Sequence, residues 1–430
     1  MISFRYPSLY INAERSYTSK VLWILSILLT GVRLERREFG ILTVLHLAFL
    51  TWYYRFSVYI LAFLVGSEDF LMHNMGFNIV TALALTLSAF LGRKMKATYT
   101  LYSWSILASL GTVLIFFAPN SFCGLLLYYM LGGLFGVAQL VFYRFFWSLT
   151  TIEERGRVSG LLGLVTLAFF PFATALTGGL GFSGTAALCI VFSLGVLAIR
   201  LFGPKEMQTP MPRDHAREAN PERRSILLYL VPWVIYSLVN ATFQNTISFN
   251  TLQGFSQSAK MSLIFLQLIG GCFGAIAGGI AADFLGRKVA LALGLTLYGF
   301  STALSGAVGM YEVVLFAHIV SGLNWGIFLT MYQLVIWGDL ANVNNYAKLY
   351  SLGLTVFYLC TGIGHAFEPI VLQFPLAVAS LISCLLIFLS NIPVILAPEL
   401  LPSGFREKMR LKLYVYLLRK KPLRIMDRSR

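Results

Sequence analysis

The sequence predicts an all-α polytopic membrane protein with twelve transmembrane helices in two pseudo-symmetric six-helix bundles. Three observations carry this. Of the 430 residues, 57% are hydrophobic and only 12% charged, against roughly a quarter charged in soluble domains, and the mean hydropathy is +0.75. Apolar stretches of about 20 residues, long enough to cross a hydrocarbon core of about 30 Å, recur between Phe39 and Ala397. The five residues Phe90-Leu91-Gly92-Arg93-Lys94 return as Phe284-Leu285-Gly286-Arg287-Lys288, each time at the polar end of a long apolar segment, so the chain is built twice.

Inside a bilayer the backbone must satisfy its own hydrogen bonds, and apolar runs of this length do so as helices, not as the short alternating strands of a barrel. The first half reads as spans near 39–65, 74–91, 97–118, 122–147, 158–179 and 182–202. The second reads as spans near 226–250, 261–283, 288–308, 312–338, 349–372 and 375–397. Between them, Pro204, Pro210, Pro212 and Pro221 stand among many charges, the composition of a solvated linker.

The expected organisation is therefore an N-terminal segment at 1–38, a first bundle at 39–203, a linker at 204–225, a second bundle at 226–398 and a basic tail at 399–430. In the first of these, the apolar run from Val21 to Val32 precedes Arg33, Arg36 and Arg37. A cleaved signal has its charge before the run, so an interfacial helix is expected. The tail from Phe405 carries ten Lys and Arg around an apolar stripe and is expected to lie on an anionic inner leaflet.

A net charge of +15 in a soluble chain would suggest nucleic acid, but here it does not. All 33 Lys and Arg except Lys260, Arg55 and Arg144 fall in loops and ends on one side of the helices, which marks that side as cytoplasmic. Both termini are then expected in the cytoplasm, in a cell membrane. Cys123, Cys189, Cys272, Cys360 and Cys384 stand singly, without the spacing of a zinc or redox site. No metal, cofactor or nucleic acid is expected, and a monomer is.

The repeat runs beyond five residues. At an offset of about 190, Gly132, Gly136, Trp147, Gly163 and Leu164 fall on Gly322, Gly326, Trp337, Gly353 and Leu354. Six spans per half is an even number, so the repeat is parallel and its axis runs along the membrane normal. That is the plan of a secondary transporter moving a small-molecule solute by alternating access. An uncoupled facilitator and a sensor or scaffold that has lost transport stay open. No GxxxxGK[ST] loop points to ATP, and an embedded enzyme would need a catalytic cluster at one depth.

Gly279-Ile280-Ala281-Ala282-Asp283-Phe284-Leu285-Gly286-Arg287-Lys288 resembles the GxxxDxxGRK signature of the major facilitator superfamily. Glu154-Arg155-Gly156-Arg157 and Ala397-Pro398-Glu399 are similar to loops common in that family. In the first half, Leu85 and Ala89 occupy the positions of the signature Gly and Asp. The resemblance implies a conformational latch made by Gly279, Asp283, Gly286, Arg287 and Lys288, with Arg93 in the first-half copy. It also implies that spans 1, 4, 7 and 10 line the central path.

On those spans the polar residues are the candidate solute contacts. Arg55 is costly in an apolar span, about 3 kcal/mol even on insertion scales, and is expected to face water. Its role stays open between an anionic solute, a structural partner such as Glu368, and snorkelling. Trp52 and Tyr54 flank it. Asn240, Gln244 and Asn245 in span 7, Gln139 in span 4, and Asn324 and Trp325 in span 10 would hydrogen-bond a small polar or anionic solute, or act as glue between helices. His365 and Glu368 share a face of span 11 and are the candidates for proton coupling. Arg144 and Asp339, at related ends of spans 4 and 10, are expected to form a gate or to snorkel separately. Gly270, Gly274 and Gly278 leave one face of span 8 as bare backbone, for close packing or for sliding.

Overall fold

The computed structural model describes residues 32–65, 69–91, 97–117, 122–202, 221–244, 247, 255–306, 311–407 and 411. The expected interfacial helix, the turn at Gly92 and Arg93, residues 204–220 of the expected linker, Asn245 and most of the basic tail lie outside these residues.

Among the described residues, twelve helices are long and apolar enough to cross a membrane. They are α1 Arg36–Leu64, α2 Phe70–Phe90, α3 Ala97–Phe117, α4 Phe122–Leu149, α5 Arg155–Ala175 and α6 Leu180–Leu197 in the first half. The second half holds α7 Arg223–Gln244, α8 Gln257–Phe284, α9 Arg287–Gly306, α10 Tyr311–Leu340, α11 Tyr346–Val371 and α12 Leu376–Leu396. Several start three or four residues before their apolar runs, because hydropathy senses the hydrocarbon whereas a helix runs on until it is capped. At α1, the Glu35 amide donates to Glu38 Oε2 at 3.0 Å in a capping box. At α8, the Ala259 amide donates to Ser256 Oγ at 3.3 Å.

The outer surface is apolar as well as the core. Leu83, Leu87, Leu110, Leu114, Phe265, Phe273, Leu381 and Leu385 are all exposed, as helices facing lipid require.

Within the first half α2 packs on α4, α3 on α4 and α6, and α1 on α5. Within the second, α8 packs on α10, α9 on α10 and α12, and α7 on α11. Between the halves α2 meets α11 and α5 meets α8. Exchanging α1–α6 with α7–α12 leaves this set of contacts unchanged, which is the signature of a pseudo-two-fold. The symmetry reaches single atoms. A Cβ on Gly136 would lie 2.6 Å from the carbonyl oxygen of Thr81, and one on Gly326 would collide with that of Gly271, the same pair shifted by 190.

Gly270, Gly274 and Gly278 bring α8 into backbone contact with Ile319, Leu323 and Ile327 of α10, within one half. The adjacent face of α8 forms the seam to α5. There Gly160 lies so close that a Cβ would be 2.7 Å from the Ala275 carbonyl, and a Cβ on Gly279 would strike that of Gly156. Small residues are what lets two membrane helices touch at this distance.

Gly279→Leu is expected to destabilise this seam by about 1–3 kcal/mol, the usual cost of overpacking. The melting temperature of the purified protein should fall below that of Gly195→Leu, since nothing lies within 4 Å of a Cβ at Gly195; equal melting temperatures would show that the seam tolerates separation.

Candidate functional site

A cavity of about 40 Å³ lies between the halves. Tyr54 reaches it from α1, Trp233, Tyr236 and Asn240 from α7, and Trp325, Phe328 and Gln333 from α10, with Leu329 and Phe357 completing the wall. At about 10–15 Å³ per water, it holds about three waters, so an organic solute enters only when the helices part. Among the described residues, three π-helical turns interrupt the long helices, at Arg55–Ile60, Asn240–Gln244 and Met331–Val335. Each delivers to the cavity: Tyr54 precedes the first, Asn240 opens the second and Gln333 sits within the third. Such turns concentrate at functional sites.

Adjacent residues on a helix point about 100° apart, so Tyr54 at the cavity turns Arg55 away. Arg55 is 2% exposed. Its Nη2 donates to Thr174 Oγ1 of α5 at 2.6 Å, and its guanidinium lies 4.7 Å from the centroid of Tyr59. The structure thus places Arg55 inside the first half and not on the central path. Trp52 is in that core too, stacked on Phe56 at 4.3 Å and Phe135 at 5.2 Å. Gln139 accepts from the Tyr358 hydroxyl at 2.8 Å, which joins α4 to α11. Asn324 is buried beside Tyr236, and Gln244 ends the second π turn half-buried. Of the expected solute contacts, Tyr54, Asn240 and Trp325 line the cavity.

The rest of the wall could have been found by extending those faces. A 3.6-residue period through Asn240 reaches Tyr236 and Trp233, and through Trp325 it reaches Phe328 and Leu329. Polarity alone selected the amides and passed over the aromatics.

Below the cavity, at the face that carries the turns 150–154, 285–286 and 341–345 and is called here the basic face, the seam closes on a buried charge network. Asp283 Oδ1 accepts from the Gly156 amide at 3.0 Å and from Arg287 Nη1 at 2.6 Å. Its Oδ2 accepts from the Arg157 amide at 3.0 Å and from Arg157 Nε at 2.9 Å. Asp339 accepts from Arg155 Nη1 at 2.5 Å and from Arg287 Nε at 2.6 Å, and Arg287 Nη2 donates to the Ile152 carbonyl at 2.7 Å. Both carboxylates are fully buried. The first half contributes Arg155, Arg157 and the amino end of α5; the second contributes Asp283, Arg287 and Asp339. A carboxylate on the exposed amides of a helix start is a favourable use of the helix dipole.

Gly286 forms the α8–α9 turn at φ 118°, a conformation that favours glycine. Glu399 lies against it and accepts from the Arg287 amide at 2.8 Å and the Lys288 amide at 3.3 Å, while Lys288 Nζ donates to the Ile395 carbonyl at 2.7 Å. The partners of Asp339 are thus Arg155 and Arg287; Arg144, which the sequence offered either as its gate partner or as snorkelling separately, is not among them. Arg144 lines a separate crevice with Ser88 and Lys348.

At the opposite face the halves are joined by a chain of hydrogen bonds. Tyr53 Oη donates to Asn78 Oδ1 at 2.8 Å; Asn78 Nδ2 donates to the Asn74 carbonyl and to Asn74 Oδ1, both at 2.9 Å. Asn74 Nδ2 then meets His365 Nε2 at 3.2 Å, and His365 Nδ1 meets Glu368 Oε2 at 3.4 Å. A backbone carbonyl only accepts, which fixes the Asn78 amide and, through it, that of Asn74. His365 Nε2 is therefore the acceptor and Nδ1 carries the proton toward Glu368.

No family model and no curated protein matches the chain by sequence. Solved structures match it in fold. The human organic anion transporter MFSD10 (TETRAN) superposes with a TM-score of 0.70 at 13% identity, covering 84% of this chain and 99% of that one. The chain has the major facilitator fold. A bacterial homologue of the iron transporter ferroportin, in an outward-facing state, gives 0.66 at 15% identity over 84% and 99% of the two chains. A bacterial ferroportin homologue in an outward-facing state with soaked iron gives 0.67 at 14%, over 85% and 99%. Among the described residues of this major facilitator fold, no three His, Cys, Asp or Glu side chains are grouped to hold a metal.

Removing one member of a buried charge set costs about 3–5 kcal/mol, so Asp283→Asn is expected to loosen the basic face. Cys272 reports on it, because its Sγ lies 3.9 Å from the Leu164 carbonyl at the α5–α8 seam. With the other four cysteines replaced by serine, Cys272 should react faster with a membrane-impermeant maleimide in Asp283→Asn; an unchanged rate would show that the seam closes without this carboxylate.

Proposed function

We propose that the protein is a secondary transporter that exposes the central cavity alternately to the two sides of a membrane. The observation that carries this reading is a small cavity where Tyr54 of the first half meets the second half, between two seams of opposite chemistry. One seam is ionic and lies at the basic face, which the charge pattern assigns to the cytoplasm. The other is the amide and histidine chain at the opposite face. Rocking the halves about the cavity opens one seam while it tightens the other. The organic anion transporter and the ferroportin homologue with the same fold support transport as the general activity.

The cavity wall favours a neutral or cationic organic solute over an anion. Tyr54, Trp233, Tyr236, Trp325, Phe328 and Phe357 supply aromatic rings, and Asn240 and Gln333 supply amides; none of the nine lining residues is charged. The Gln333 Oε1 is buried without a hydrogen-bond partner and is an acceptor for a solute N–H or O–H. Ring faces attract cations, by about 0.5–2 kcal/mol each. A second reading, a carboxylate solute, rests on Arg55 standing one residue from Tyr54. Uptake into proteoliposomes of benzyltrimethylammonium, its neutral carbon analogue and an aryl carboxylate of similar size separates the two. Under the first reading the cation is taken up best, Trp325→Leu and Tyr236→Leu each weaken it by about tenfold, and Arg55→Gln leaves it intact. Preference for the carboxylate, lost in Arg55→Gln, would establish the second, and uptake of no solute class would favour a sensor or scaffold.

The polarity of the outer chain supports a proton-coupled reading. A proton on His365 Nε2 would face the Asn74 amide group donor to donor, which breaks the link between α2 and α11. Among the described residues, the side chains that meet the His365 ring nitrogens are Asn74 from α2 and Glu368 from its own helix. Acidifying the non-basic side is therefore expected to speed opening there and to speed uptake, and His365→Gln is expected to remove that dependence. Uptake that ignores an imposed pH gradient and is unchanged in Glu368→Gln would instead identify an uncoupled facilitator.

A further inference from the structure

Among the described residues, the α5–α8 seam carries a carboxylate at the basic face, whereas the crevice at the matching end of the α2–α11 seam is lined by none. At the α5–α8 seam, Asp283 occupies the amides of Gly156 and Arg157 at the start of α5. The pseudo-two-fold sends α5 to α11, whose first residue is Tyr346 where that of α5 is Arg155. Gly156 and Arg157 thus correspond to Ala347 and Lys348. In the degraded first copy of the signature, Ala89 stands at the motif position that Asp283 fills in the second. Among the described residues, the amides of Ala347 and Lys348 have no hydrogen-bond partner.

What stands in the place of the carboxylate is a cavity. It measures about 50 Å³ and is bordered by Ala89, Ala347, Lys348, Arg144, Ser88 and Thr100. Two of its lining residues are cations and none is a carboxylate. Arg144, half-buried one turn or so from the end of α4, makes no hydrogen bond or ion pair among the described residues. Val137, Leu140 and Val141 make the inner wall apolar, which strengthens the field of the two cations. A guanidinium fork, an ammonium and the open amides of a helix start are the groups that together bind phosphate.

Exposed apolar side chains flank the crevice in sequence. Phe90 and Tyr99 are 69% and 67% exposed beside it, and the Lys348 ammonium lies 5.8 Å from the Phe90 ring centroid.

We propose that this crevice binds a phosphate-bearing anion, which replaces the missing first-half aspartate, ties α4 to the start of α11 and holds the basic face closed. The phosphate comes from an anionic lipid headgroup or from solution. Binding here is independent of which solute crosses the membrane.

The test uses the full chain with Cys272 as the only cysteine. Its maleimide reactivity is read in nanodiscs of phosphatidylcholine, with or without phosphatidic acid, and separately in phosphatidylcholine with inorganic phosphate. Either anion is expected to slow the reaction by about fivefold, the lower end of coupling between sites. Phosphatidic acid alone acting identifies the lipid as the source, and inorganic phosphate acting as well identifies a free anion as sufficient. The effect should vanish in Arg144→Gln and in Lys348→Gln and persist in Arg223→Gln, which removes an exposed charge from the same face. Ala89→Asp supplies the carboxylate from the chain itself and should react slowly without any added anion. The proposal is overturned if neither anion changes the rate, if Arg144→Gln and Lys348→Gln respond like the unmutated protein, or if Arg223→Gln loses the response too.

Discussion

Two carboxylates shut away from water hold the halves together at the basic face, and the rest of the architecture is arranged so that they can. Asp283 reaches the start of α5 only because Gly156, Gly160 and Gly279 let two helices touch along their backbones. Asp339 reaches the same cluster from the end of α10, and Arg287 bridges the two acids. Three arginines against two aspartates leave one positive charge to be met by backbone carbonyls, and those of Ile152 and Glu153 are in place.

Such a network is a weak source of net stability. Desolvation of each ion costs several kcal/mol, and an apolar patch of equal volume would often hold the halves as well or better. Its use lies in reversibility. An apolar seam that opens to water meets the full hydrophobic cost of exposure, whereas arginine and aspartate regain hydration as they separate. Charges are therefore suited to a seam that must open and close many times, and the apolar contacts are kept for the packing within each half, where α8 lies against α10 and α2 against α4.

The architecture was legible in the sequence because its signals are long. Twenty-residue apolar runs and a duplication of about 190 residues survive any local error, and all twelve helices lie where the runs place them, apart from ends that hydropathy does not sense. The signature residues were legible for the same reason, since Asp283 and Arg287 sit four apart at a helix end and meet there. The cavity was less so. Arg55 drew attention because a charge in an apolar span is conspicuous, but what decides its direction is the helix azimuth, and one residue's rotation separates Tyr54 at the cavity from Arg55 at Thr174. Aromatic lining residues such as Trp233 and Phe328 carry no such mark, because in a membrane chain they are indistinguishable by type from core residues such as Trp52 and Phe135. The π turns are invisible to a periodic reading by their nature, for they are the places where the period changes.

The partners of Asp339 show the same limit from the other side. Arg144 and Asp339 sit near the same ends of α4 and α10, helices that the repeat relates to each other, and depth alone would pair them. Yet elements related by a two-fold stand on opposite sides of its axis, so equivalence in the repeat argues against contact unless the residue lies on the axis itself. The contacts that do cross, α2 with α11 and α5 with α8, join helices that are not each other's copies. In a duplicated bundle the repeat thus predicts which residues share an environment, and the seam partners must be sought one symmetry step away: Asp283 has Arg157, while its counterpart Ala89 faces Lys348 across a gap.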